Sequence, residues 1–222
     1  MVLTVHHLGI SQSERVVFLC EELGIPYDLK IHTRSPVLAP DSLKNIPGNA
    51  TGRSPFIQDS DANINLSESG AIVEYIIHRY GGGRLSAKPS DANYPDYLHW
   101  FHFSNATLQA AISGNMWPVA DVNLSKIRDA RLHSTLKVMD DRLAESKWLA
   151  GNEFTAADIM PTYSLITGRN WTPLNLSAYP NIVRWIGDIA ARPGYQQAVS
   201  AKVLCRVKRQ MLTIGIDAER RS

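Results

Sequence analysis

The stretch LSESGAIVEYIIHRYG (66–81) sets a glutamate and a serine directly before an apolar run at helical spacing, Ile72, Val73, Ile76 and Ile77. A helix start gathers unpaired backbone N–H groups and the positive end of the dipole, so it receives anions. Glu68 beside it suits an ammonium group. Together, Glu68 and Ser69 match the α-amine and α-carboxylate of an amino acid. The plainer reading is an N-cap with an acidic first turn, worth about 1 kcal/mol. A second polar stretch, GRSPFI (52–57), places a Ser-Pro bond immediately before a strand pattern. On its own this reads as a trans turn, because only about 5–6% of X–Pro bonds are cis. A third, Thr155-Ala-Ala-Asp158, is a capping box in its acidic variant, with Phe154 and Ile159 at the positions of a hydrophobic staple. Its role is folding.

Other reactive side chains point nowhere in particular. His99 and His102 stand i, i+3 with no third metal ligand nearby, so no metal site is expected. Cys20 and Cys205 lie far apart and outside any CxxC, which argues against a zinc site or a disulfide framework. Cys20 sits on an apolar helix face and reads as buried and inert. The aromatic-rich stretch with Trp100, Phe101, Phe103, Met116 and Trp117 reads mostly as core.

The elements that must hold these residues fall into two halves. LTVHH (3–7), YDLKIHT (27–33), FIQD (56–59) and INL (64–66) read as strands, the last two joined by a turn at SDAN. ERVVFLCEEL (14–23) reads as a helix with Gly24 as its C-cap, and DSLKNI (41–46) as one or two further turns. The order is βαβ, a short helix, then ββα. After GGG (81–83) and a polar segment ending near 96, the chain turns helical, with stripes at 97–113, 124–146, 155–166 and 181–194. The expected class is therefore α+β in two domains. A thioredoxin-like α/β unit spans 1–83, a linker 84–96, and an all-α unit 97–222.

Composition allows this. The 222 residues are 44% hydrophobic and 20% charged, enough for real cores, and the net charge of +2 gives no whole-chain signal for nucleic acid. No apolar stretch reaches the ~18–20 residues that span a bilayer, and the start lacks a signal-peptide pattern. A cytoplasmic protein is expected, without nucleic-acid or membrane partners. Only the tail 201–222 is basic, with Lys202, Arg206, Lys208, Arg209, Arg220 and Arg221 against Asp217 and Glu219. It is expected to pack on its own subunit through Val203, Leu204, Val207, Met211 and Leu212.

Taken in order, VHHLGISQSERVVFLCEELGIPYD (5–28), GRSPFI, LSESGAIVEYIIHRYG, WLAGNEFTAADI (148–159) and YPNIVRWIGDIAARPGYQQA (179–198) resemble the cytosolic glutathione transferases. The branch is the bacterial and fungal one whose first turn reads HHLxxSRxxR. The resemblance implies a cis Ser54-Pro55 bond. It also implies glutathione as co-substrate, with Glu68 and Ser69 on its γ-glutamyl end, the Ser54 backbone on its cysteinyl part and Arg53 near its glycine carboxylate. Lys44 or Asn45 would assist.

The family places a hydroxyl, thiol or amide at the first turn to stabilise the glutathione thiolate. Register puts Ser11 there, with Gln12 and Ser13 as alternatives; the competing reading is that Ser11 only caps its helix. Gln12 stands where the branch has arginine, and 46–52 is longer and richer in glycine than usual. The implied activity is conjugation of glutathione to a hydrophobic electrophile, or reduction of a hydroperoxide, by a homodimer that needs no metal. A glutathione-dependent isomerase or biosynthetic enzyme, and a non-catalytic binding protein on the same fold, are the rival readings.

Overall fold

The computed structural model describes residues 3–35 and 37–200. Expectations for the tail, Cys205 included, lie outside the described residues. Strand β1 (Leu3–Leu8) is central, with β2 (Asp28–His32) parallel to it on one side. On the other side β3 (Phe56–Asp59) runs antiparallel to β1, and β4 (Ile64–Ser67) closes the order β2-β1-β3-β4. Helices α1 (Ser13–Leu23) and α3 (Ser69–Arg79) pack on this sheet, and α2 (Asp41–Lys44) is a single turn between β2 and β3. This is the thioredoxin-like arrangement.

The other helices form the second unit: α4 (Tyr94–Phe103), α5 (Ala110–Gly114), α6 (Val122–Glu145), α7 (Ala156–Ile159), α8 (Thr162–Leu165), α9 (Pro180–Ala190) and α10 (Pro193–Ser200). Three expected helices are cut. Residues 97–113 are not one α-helix, because Ser104–Gln109 takes π geometry. Met160-Pro161 separates α7 from α8 and Pro193 starts a new helix, since proline cannot continue the ladder from the preceding turn.

Helix α1 is the seam of the molecule. It ends as read from the sequence, with Gly24 at φ 65° and the Ile25 N–H returning to the Cys20 carbonyl at 2.9 Å. One side meets β1 and α3, and the other meets α7, α8 and α10. Val16, Val17, Phe18, Leu19 and Cys20 are fully buried, but so are Ser13, Glu14 and Arg15. A helix enclosed on all sides buries its polar residues too. The capping box forms as expected: Thr155 Oγ1 accepts from the Ala157 N–H, and Asp158 accepts from the Thr155 N–H. Phe154 packs on Phe18, Trp148 and the Arg192 guanidinium. Trp100 and Phe101 are core, whereas Met116 and Trp117 are exposed and do not join it.

Candidate functional site

Between β1 and α1 the chain makes a tight turn, and Ile10 takes a positive φ of 54° that branched residues avoid. Neighbours hold it there. Arg34 donates from Nε to the Gly9 carbonyl (2.8 Å) and from Nη2 to the Ile10 carbonyl (2.7 Å), while its guanidinium lies 5.0 Å over the Trp171 ring. Trp171 Nε1 also donates to the Ile10 carbonyl, at 3.2 Å. From below, the Glu14 carboxyl accepts from the backbone N–H groups of Ile10 and Ser11 and from the Thr167 hydroxyl. Burial pushes that carboxyl up to about 8 against the pull of those three donors.

The turn presents Ser11, not Ser13, to a cleft of about 570 Å³. Leu8, Arg34, Lys44, Asn49, Arg53 and Ser54 also line it. Ser13 has no exposed surface. Behind Ser11 lies a row of hydroxyls: Ser11 Oγ is 2.7 Å from Ser13 Oγ, which is 2.8 Å from His7 Nδ1. On the cleft side Ser54 Oγ is 3.4 Å from Ser11 Oγ and donates to the His6 carbonyl at 3.1 Å.

The Ser54-Pro55 bond is cis. Arg53 is exposed at the rim, and Lys44 reaches the cleft from α2, while Asn45 does not line it. The long 46–52 segment is knitted by Asn49, whose Nδ2 donates to the carbonyls of Leu43 and Arg53, each at 3.1 Å.

Gln12 turns the other way. It lines a second, polar cleft of about 250 Å³ with Glu68, Asn105, Gln109 and Ser113. Glu68 stands at the N-cap of α3 with φ 73°, and its side chain makes no capping hydrogen bond to that helix. The capping alternative for Glu68 and Ser69 is therefore not what the structure shows. The Ser69 hydroxyl instead donates to Gln12 Oε1 (2.8 Å) and accepts from Arg15 (2.9 Å) and Asn105 (3.2 Å).

Arg15 is the hub. Its Nη1 reaches Gln12 Oε1 (2.7 Å) and Asn105 Oδ1 (2.6 Å), and its Nη2 reaches Gln109 Oε1 (3.0 Å). Among the described residues no carboxylate pairs with it, and its Nε has no partner. Burial lowers its pKa to about 9, so it remains a cation at neutral pH, surrounded by neutral amides and hydroxyls beside the start of α3.

Ser11, Arg53, Ser54 and Lys44 thus meet in one cleft, and Gln12 and Glu68 in another. Ser69 lies beneath the second, with its hydroxyl in the Arg15 network. Sequence reasoning missed the roles of Arg15, Asn105, Gln109, Arg34, Trp171 and His7. The doubled histidine before the turn was the one local signal for His7. Cys20 is buried, and burial pushes its thiol up.

Two family models match the chain: glutathione S-transferase, N-terminal domain, over residues 6–84, and glutathione S-transferase, C-terminal domain, over residues 105–193. Glutathione S-transferase 3 of Schizosaccharomyces pombe is 31% identical, the match covering 100% of this chain and 94% of the relative. Glutathione S-transferase GstB of Escherichia coli K12 is 28% identical over 86% of this chain and 93% of its own length. Among solved structures, a glutathione S-transferase from Actinobacillus pleuropneumoniae superposes with a TM-score of 0.80 at 28% identity, covering 90% of this chain and 92% of the other.

Proposed function

The chain belongs to the glutathione S-transferase family, and on that premise we propose that it binds glutathione across the two clefts and activates its thiol at Ser11. The observation that carries this reading is the Ser11 hydroxyl at the floor of the larger cleft, beside the cis Ser54-Pro55 bond and under the basic rim of Lys44 and Arg53. That cleft takes the cysteinyl and glycyl parts, with the glycine carboxylate on Lys44 and Arg53 and the Ser54 backbone pairing with the cysteinyl amide. The γ-glutamyl end lies at the start of α3. There the buried Arg15 has no carboxylate in a salt bridge with it among the described residues, and the ligand α-carboxylate supplies one. The Ser69 hydroxyl turns from Gln12 to that carboxylate, and Glu68 faces the amine.

A hydrogen bond from Ser11 favours the charged sulfur and lowers the thiol pKa. The thiolate then forms a C–S bond to an electrophilic carbon, whose leaving group departs with the bonding electrons. With a hydroperoxide it attacks the terminal oxygen, and the O–O bond breaks as the alkoxide leaves and is protonated to the alcohol. The resulting glutathione sulfenic acid condenses with a second glutathione to give the disulfide and water.

Calorimetry tests the binding half. Glu68→Ala or Ser69→Ala should weaken glutathione affinity by about 1–3 kcal/mol, the scale of a charge-assisted hydrogen bond. Unchanged affinity in folded variants would sink the assignment. Turnover with a model electrophile and an organic hydroperoxide tests the other half, and binding without turnover would make the protein a binder.

A further inference from the structure

Resting on the reading of Ser11 as the hydroxyl that meets the glutathione sulfur, we propose that Ser13 and His7 are positioning residues that aim its proton into the cleft. The polarity of the row is set at one end by a carbonyl. The His6 carbonyl oxygen can only accept, and Ser54 Oγ lies 3.1 Å from it. Ser54 uses its one proton there and therefore faces Ser11 as an acceptor. Ser11 then gives its own proton across 3.4 Å to Ser54, and must accept across its 2.7 Å contact with Ser13. Ser13 has in turn given its proton to Ser11. Its 2.8 Å contact with His7 Nδ1 thus requires a hydrogen on that nitrogen.

Two backbone groups agree with this order. The Leu8 N–H donates to Ser13 Oγ and the Ser13 N–H donates to Ser11 Oγ, each at 3.3 Å, so both hydroxyls accept on the side away from the cleft. Donation runs from His7 Nδ1–H to Ser13, from Ser13 to Ser11, and from Ser11 outward. A hydroxyl that already accepts is a stronger donor, because successive bonds polarise one another. The outermost link is the longest and sits near the limit of a hydrogen bond. A thiolate entering the cleft accepts that hydrogen bond in place of Ser54, with little lost. The opposite tautomer, with a bare Nδ1, would reverse the row and turn a Ser11 lone pair toward the sulfur.

The test begins with the wild-type full chain. Nitrogen-15 NMR of the imidazoles should show the His7 hydrogen on Nδ1; a neutral ring protonated only on Nε2 overturns the proposal. Ultraviolet titration of bound glutathione follows. Ser13→Ala and His7→Leu should each raise the thiol pKa, by up to about one unit, with glutathione affinity kept within about twofold. His7→Asn, which can place an amide N–H near Nδ1, should restore it. In a Ser11→Ala background, Ser13→Ala should add nothing further. If Ser11→Ala leaves the thiol pKa unmoved, the reading of Ser11 fails and this proposal fails with it. If Ser11→Ala raises it while Ser13→Ala is silent or additive, only the row behind Ser11 is refuted.

Discussion

Glu14 and Arg15 are neighbours in the chain and both are buried, yet they answer to different surroundings. Arg15 meets amides and hydroxyls, and Glu14 meets the first turn and Thr167. The Glu14 carboxyl moves from 4.5 to about 8 on folding. Between those values the folded protein holds a proton that the unfolded chain has released. Stability from this group is therefore complete below pH 4.5, falls as pH rises toward 8, and is level above it. Glu14→Gln should flatten the decline by up to about 1.4 kcal/mol per pH unit across that window, read as the difference between variant and wild type in urea unfolding. Taking the difference cancels Asp158, raised to about 6, and His6 and His32, both lowered below 6.5 by burial. Equal slopes in the two proteins would show that Glu14 is ionised in the folded state. Neither residue's burial was legible in ERVVFLCEEL, where both look like ordinary helix positions. They are enclosed because partners some 90 to 150 residues away close over α1.

At the scale of elements, what could be read was what local chemistry decides. The 56–59 and 64–66 hairpin, the Gly24 cap and the Thr155–Asp158 box appear where the sequence put them, because turn residues and caps act within a few positions. The π segment was not readable. One extra residue in the hydrogen-bonded loop leaves no compositional mark, and it accompanies Asn105 and Gln109 both reaching Arg15 across the seam. The breaks at Pro161 and Pro193 were in plain view, and the apolar stripes running through them hid the boundaries. Asp158 shows how much a local motif can acquire from the fold. Besides the Thr155 N–H, its carboxylate accepts from the Leu149 N–H at 2.9 Å and from Trp185 Nε1 at 3.0 Å. Asp158→Ala strands three buried donors as well as losing the cap, and should destabilise the protein by roughly 3–5 kcal/mol in denaturant unfolding. A loss near 1 kcal/mol would reduce Asp158 to a cap alone.

For the whole molecule, the open question is the second subunit. The homodimer that the family resemblance implies would set α3 of one chain against residues 97–113 of the other, and both stretches are rich in apolar residues that could seal such a contact. The structure removes that argument. Ile72, Val73, Ile76 and Ile77 are fully buried within one chain. What α3 leaves outside is Ala71, Glu74, His78 and Arg79, and the opposing helix leaves Pro95, His99 and His102. The large apolar residues that are exposed lie elsewhere, Trp117, Val122, Leu124 and Ile127 among them. A homodimer through α3 and α4 would accordingly be polar, with Glu74, His78 and Arg79 on one surface and imidazoles on the other, and its pairing would weaken with salt. Light scattering should give twice the chain mass at low ionic strength. Glu74→Arg should lower the dimer fraction, while Ile127→Asp on α6 should leave it unchanged. A monomer at all protein concentrations would refute the dimer. A dimer abolished by Ile127→Asp and untouched by Glu74→Arg would move the interface to the apolar surface around Trp117.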